Sequence, residues 1–199
     1  MINDWYQAVI DITASQEEAK NLAIEVTSVL ATEKIITLYK PGQTLTHISG
    51  KFAPGPDFSF ASGAAIDLRN HQELNIGGMD IHTKAWVNDY GIIGLDSALC
   101  PVCKIELTTD SFDLLSVLKE SFAEAGENFV SRKHQPRVSC PNCKTSSHVS
   151  RWKTQPHLGF CSLAFIFWNW PPFESWRINI PEIISQTLGR DIILTYGRL

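Results

Sequence analysis

The chain predicts an α+β fold, an antiparallel sheet with helices on one face and a cysteine-bearing segment inserted into it. Three observations predict it. Both ends read strand, helix, strand; the middle is cut into short apolar runs by glycines and turn residues; and two motifs of one form, Cys100-Pro101-Val102-Cys103 and Cys140-Pro141-Asn142-Cys143, stand 36 residues apart.

At the N-terminal end, residues 5–12 suit a first strand. Ser15 and Glu18 have the spacing of a capping box, in which hydroxyl and carboxylate each satisfy the other residue's backbone N–H. Behind it Ala19, Leu22, Ala23, Val26, Val29 and Leu30 recur every three or four positions, which predicts an amphipathic helix over 15–32. Residues 35–39, β-branched and aromatic, follow as its partner strand. Residues 40–63, rich in glycine and proline, read as a long surface loop. Short strands are expected at 66–68, 74–76, 80–87 and 92–95, broken by Gly77-Gly78, Asn88-Asp89 and Gly91. A helix at 111–125 presents Phe112, Leu115, Val117, Leu118 and Phe122 as its apolar face. Residues 163–168 form an apolar strand. Asn179 caps a helix with Pro181 in its first turn and Gly189 at its stop, and 191–196 closes the pattern as a strand. Two terminal β-α-β units of this kind suit a ferredoxin-like order. The division expected is an α+β body of 1–97 and 158–199 around a zinc ribbon of 98–157.

With 199 residues, 44% of them hydrophobic and 19% charged, the chain has the composition of a folded globular protein. No apolar run is long enough to span a bilayer, and the first residues lack the basic flank and apolar stretch of a signal peptide, which predicts a cytoplasmic protein with no membrane partner. The net charge of -4 hides an asymmetry. Residues 128–173 contain no Asp or Glu, while Arg132, Lys133, Arg137, Lys144, Arg151 and Lys153 give that stretch +6.

Two residues between cysteines let both sulfurs of a tight turn face one ion, so Cys100, Cys103, Cys140 and Cys143 are predicted to complete a tetrahedral shell. Zn²⁺ is the expected ion, with Fe²⁺ chemically acceptable in the same four-sulfur set. Four sulfur ligands leave no place for a reacting water, so the role predicted is structural. The segment between the motifs promises little apolar core, and Cys140→Ser is expected to unfold it. His134, His148 and His157 lie close in sequence, but four cysteines already fill the set. Cys161, in an apolar run, reads as a buried inert thiol.

Trp168 and Trp170, two positions apart, would share one face of an extended strand, either as core or, with Trp176, as an interface anchor. Trp152, between Arg151 and Lys153, is the residue through which a basic ribbon would stack a base, the basis of a nucleic-acid-binding alternative. Enzyme signatures are absent. Ser49-Gly50-Lys51 lacks the rest of a phosphate loop, and His71-Gln72-Glu73 matches the form of a deaminase H-x-E without cysteines left to serve it. Asp57, Asp67, Asp80, Asp89 and Asp96 stand near turns, where Asp is ordinary.

Asp4-Trp5-Tyr6, the capped helix, the paired C-P-x-C motifs, the run Phe167-Trp168-Asn169-Trp170-Pro171-Pro172, Leu188-Gly189-Arg190 and the closing Tyr196-Gly197-Arg198-Leu199 together resemble a family of uncharacterised bacterial proteins whose members are often labelled sugar-transporter ATPases. The resemblance implies a bacterial source and a zinc ribbon carried on an α+β body. The ATPase label has no support in these residues, because phosphate loop, Walker-B strand and signature loop are all missing. The function expected is that of a cytosolic binding protein with a structural zinc and a protein partner, in an immunity- or adaptor-type role. Nucleic-acid binding is the alternative, and an enzyme the third reading.

Overall fold

The computed structural model describes residues 5–38, 52–58, 61, 77–131 and 136–198. Its centre is a pair of strands, β1 (Trp5–Asp11) and β12 (Leu163–Trp168), that run antiparallel with Tyr6 opposite Trp168 and Val9 opposite Phe165. Every residue of β12 is buried, so both faces of the sheet must be covered, and its unbroken apolar sequence follows from that. Val9, Leu163, Phe165 and Phe167 face one core; Tyr6, Ala8, Ile10, Ala164, Ile166 and Trp168 face another. Burying each such Phe or Ile is worth about 1.5–3 kcal/mol relative to exposure.

The first core is roofed by two helices, α1 (Ala19–Thr32) and a C-terminal helix at Ile180–Leu188. The capping box forms, with Ser15 N–H donating to Glu18 Oε2 at 3.0 Å and Glu18 N–H donating to Ser15 Oγ at 3.3 Å, but it closes a turn that precedes the regular helix. The C-terminal helix ends as expected: Asn179 accepts from Glu182 N–H at 3.1 Å, and Gly189 takes the left-handed conformation, φ 62°, that reverses the chain.

Among the described residues the main sheet has six strands, ordered β13-β1-β12-β4-β3-β2, where β2 is Ile36–Leu38, β3 Phe52–Pro54, β4 Met79–His82 and β13 Ile193–Arg198. All its pairs are antiparallel. Taking β13, β1, β12 and β4 alone gives two interlocked β-α-β units, each with one strand of the other between its parallel members, which is the ferredoxin-like order. One detail departs from expectation. The strand directly after α1 is not beside the centre; β2 lies at the far edge, and the meander β2-β3-β4 delivers β4 to the inner place. Only Ile36 of β2 is buried, so this short strand suits an edge. At the opposite edge Gly197 faces Tyr6 in register, and a Cβ there would sit 2.5 Å from the Tyr6 ring.

Residues between β4 and β12 form the insertion. It contains β5 (Trp86–Val87), α2 (Asp89–Ile93), β6 (Ser97–Leu99), β7 (Glu106–Thr108), α3 (Phe112–Val130), β8 (Arg137–Ser139), β9 (Ser146–His148), β10 (Lys153–Gln155) and β11 (Phe160–Cys161), so that the C-terminal helix is α4. A core of its own, built from Leu95, Leu107, Leu115, Leu118, Phe122, Val138, Trp152 and Phe160 among others, corrects the expectation of a segment nearly without one.

Four further expectations change. Residues 92–95, read as a strand, form the end of a helix and the turn that follows it, because Asn88 accepts from Gly91 N–H and Asp89 sits in the positively polarised first turn. The loop expected at 40–63 contains β3; its residues 40–51, 59–60 and 62–63 lie outside the described residues, as do 66–68, 74–76, Asp67, His71, Glu73, Arg132, Lys133 and His134. Helix α3 runs longer than 111–125, and Phe112 and Val117 point to solvent at 71% and 49% exposure, since the buried stripe is Leu115, Leu118, Phe122 and Ala125. Finally, Trp168 and Trp170 do not share a face. Asn169 between them adopts φ 52°, its N–H donating to Trp5 O and its side chain accepting from Trp5 N–H, so Trp168 faces the Tyr6 core and Trp170 the helix-covered core. All three of Trp168, Trp170 and Trp176 are core residues rather than an exposed platform. Among the described residues no helix is long and apolar enough to cross a membrane.

Candidate metal centre

The two C-P-x-C motifs occupy the turns of two hairpins with matching backbones. In the first, β6 pairs with β7, Lys104 N–H donates to Cys100 O at 3.2 Å and Cys100 N–H donates to Ile105 O at 3.0 Å. In the second, β8 pairs with β9, and Lys144 and Cys140 repeat those bonds at 2.9 and 3.0 Å. The residue after each second cysteine is left-handed, Lys104 at φ 60° and Lys144 at φ 59°. The likeness of the motifs is therefore a likeness of local structure, and α3 spans the distance between its two copies.

Facing each other, the hairpins bring all four sulfurs within 4.8 Å of one another. Cys100 Sγ lies 4.0 Å from Cys143 Sγ, and Cys103 Sγ 3.9 Å from Cys140 Sγ. A tetrahedral ion with metal–sulfur bonds of about 2.3 Å requires sulfur–sulfur edges of about 3.8 Å. These separations fit that shell and are far too long for disulfides, whose bond is about 2.05 Å. Exchanging one motif for the other carries the first close pair onto the second, so the cluster has the approximate two-fold symmetry of its hairpins.

The donor chemistry fits a cation as well. Burial works to raise the Cys100 thiol, yet the backbone N–H groups of Cys103 and Val102 together with the Cys103 and Cys140 thiols hold it below the usual thiol range. Cys140 is pushed up to about 11 by burial, against the opposing N–H groups of Cys143 and Asn142. Cys143 is held down to about 6 by the backbone N–H and then the hydroxyl of Thr145. Sulfurs packed this closely cannot all be thiolates unless a positive charge sits among them, and a bound metal ion would supply it. Asn142 adds a contact the sequence did not signal, its Nδ2 lying 3.8 Å from Cys103 Sγ in the other motif. The four cysteines together can hold one metal ion.

Other predicted residues stand apart from this cluster. His148 caps a 3₁₀ turn by accepting from Ser150 N–H at 3.2 Å, and it is not part of the sulfur set. Cys161 is buried beneath the sheet and its thiol is pushed up to about 12 by that burial, the state of an inert thiol. Asp57 lies on the surface, 4.0 Å from Lys34; Asp80 accepts from the Trp168 indole; Asp89 opens α2; Asp96 N–H donates to Gln155 O. No three acidic or imidazole groups among the described residues gather into a second metal-binding set. Trp152, assigned to base stacking in the nucleic-acid alternative, is buried against Phe122, with its ring centre 5.6 Å from that ring.

Comparison with protein family models, with curated proteins and with solved structures finds no match to this chain.

Proposed function

We propose that the chain is a cytosolic binding protein whose four thiolates hold one structural Zn²⁺. The single observation that carries the metal reading is the gathering of all four sulfurs within 4.8 Å of one another. A four-cysteine shell satisfies zinc completely, and a catalytic zinc would keep one position for water or substrate. In this role the ion ties the turns of two hairpins at opposite ends of α3, so it fixes how β6–β7 and β8–β9 stand against the insertion's own core. Iron in the same shell would serve the same structural purpose.

A protein is the partner this reading favours. Ile93 and Val130, at 73% and 53% exposure, line one groove with Ile92, Ala123 and Gly126, an apolar surface more suited to a protein than to phosphates. The nucleic-acid alternative loses its stacking residue with the burial of Trp152. Elemental analysis of native material should give one zinc per chain, lost with Cys140→Ser. Affinity capture from the native cytosol should return a stoichiometric protein that the double variant Ile93→Asp, Val130→Asp no longer holds while keeping its zinc. Absence of metal sinks the first half of the reading; salt-sensitive capture of nucleic acid, indifferent to those two substitutions, sinks the second.

A further inference from the structure

The groove that holds Ile93 and Val130 runs between α2 and the C-terminal half of α3. Resting on the reading of this groove as the partner surface, we propose that its occupant is a cationic amphipathic helix of the partner protein, with apolar side chains on the groove floor and Lys or Arg side chains on an acidic rim.

A helix suits the walls. Ala123, Gly126 and Val130 follow one another at three- and four-residue spacing along α3, and Ile92 and Ile93 of α2 line the groove with them. The small side chains of Ala123 and Gly126 let a second backbone come close, while Ile93 and Val130, the most exposed of the set, offer apolar area. Helical walls make their backbone bonds internally, so they present no ladder of N–H and C=O groups to an extended chain. A segment that docks here must satisfy its own backbone, as a helix does. From Ala123 to Val130 α3 rises about 10 Å, which matches two turns of an occupant with apolar anchors at i, i+3 and i+7.

The sign of the occupant follows from charge. Asp89 and Glu127 are the charged residues of the lining, and both are exposed. Glu120, Glu124 and Glu127, four and three positions apart, form one exposed acidic stripe along α3 beside the apolar floor. None of these four carboxylates has an ion-pair partner among the described residues. Lys119, the one cation of α3, already has its Nζ on Ile93 O at 3.0 Å. The last turn of α3 contains Glu127 and no basic residue, which sets a carboxylate against the negative end of the helix dipole. Like charges in a row and an acid at the wrong helix end are both relieved by cations supplied from outside, and the apolar floor between the helices requires that those cations flank an apolar face.

The probe is a synthetic amphipathic helix of about 18 residues built from Leu and Lys, and its control is the twin with Glu at every Lys position. Added to the full metal-loaded chain labelled with ¹⁵N, the Lys peptide should give saturable amide shifts centred on Ile93, Ala123, Gly126 and Val130, with a dissociation constant of about 0.1 mM that rises with salt. The Glu twin should bind at least about tenfold more weakly. Glu124→Gln with Glu127→Gln should weaken the Lys peptide by about threefold or more, and Ile93→Asp with Val130→Asp should abolish its groove shifts while zinc content stays the same. The proposal is overturned if the shifts fall outside the groove or do not saturate, if the Gln pair leaves the affinity unchanged, or if the Glu twin binds as tightly, the result expected should Arg132 and Lys133, next in sequence after α3, set the sign. Capture from the native cytosol run in parallel separates this failure from that of the groove itself. A stoichiometric protein lost with the Asp pair, beside a Lys peptide that does not bind, overturns the cationic helix alone, and capture indifferent to the Asp pair overturns both.

Discussion

The Tyr6 hydroxyl donates to Asn88 Oδ1 at 2.7 Å, and through that bond the central sheet grips the start of the insertion. Asn88 is fully buried and every polar atom of its side chain is engaged. Its Oδ1 also accepts from Gly91 N–H, capping α2, while Nδ2 donates to Thr195 Oγ1 and to Tyr196 O on β13. One amide thus joins β1, α2 and β13.

Removing the hydroxyl with Tyr6→Phe should cost about 1–2 kcal/mol in denaturant unfolding, the usual effect of deleting a buried bond whose acceptor keeps one other partner. The same bond makes a prediction in alkali. Burial first, and the Asp89 carboxylate second, raise the Tyr6 phenol beyond its ordinary value. A phenol whose folded value is raised holds its proton while the unfolded chain loses it, so its contribution is intact below pH about 10 and declines above that. Unfolding measured from pH 8 to 11.5 should show this loss, and Tyr6→Phe should remove most of the slope.

Gln7 is a polar residue in a strand buried at all but its first position, and its three bonds explain it. Nε2 donates to Trp170 O at 3.1 Å and Pro171 O at 2.7 Å, and Oε1 accepts from Phe173 N–H at 2.8 Å. Gln7→Leu keeps the volume, strands Trp170 O and the Phe173 N–H, and leaves Pro171 O with the Trp176 indole alone. We expect a loss of about 2–4 kcal/mol by urea unfolding. A neutral outcome would mean that the Trp-Pro-Pro-Phe turn holds itself.

Arg190 bridges two acidic residues of the opposite end of the chain, Glu18 at 2.8 Å and buried Asp11 at 3.5 Å. The hydrogen bond from Arg190, followed by those from Ser15, holds the Glu18 carboxyl down to about 2. Carboxyl NMR should find Glu18 titrating there, and Arg190→Gln should return it toward the ordinary carboxylate range. Because the folded value is depressed, whatever stability this pair adds is present above pH about 4 and disappears as pH falls toward 2.

For the metal centre, Cys140→Ser or a chelator should lower stability by more than about 4 kcal/mol, a drop of roughly 10 °C in Tm for a chain of this size. The insertion's own core softens the expectation of outright unfolding. Protease cleavage should begin at the turns around Cys103 and Cys143 while the β1–β12 centre stays protected. Unchanged cleavage at those turns after complete metal removal would show that the sulfurs stabilise nothing.

How legible this was depended on whether local chemistry or distant packing decided each element. Strand β12 could be read because its six apolar residues admit only a central place, and α4 because Asn179, Pro181 and Gly189 each act within one turn. The meeting of the four cysteines followed from turn geometry repeated twice. What could not be read was settled elsewhere in the chain. The place of β4 between β12 and β3 depends on pairing between short strands far apart in sequence. Helix α2 was hidden because Asn88 and Asp89 favour a turn and a helix start alike. The insertion's own core was missed because Val87, Leu95, Phe122, Val138 and Phe160 are dispersed over four elements and a connecting loop. Asn142 and the indole of Trp152 carried no pattern at all.

The left-handed Asn169 allots neighbouring indoles to opposite sides of the sheet, and with Trp152 in the insertion each of the three cores holds a tryptophan of its own. Natural emission can therefore be made to report on one region at a time. Replacing the others with phenylalanine would let a single unfolding experiment reveal whether the regions melt together or in sequence, with no label added.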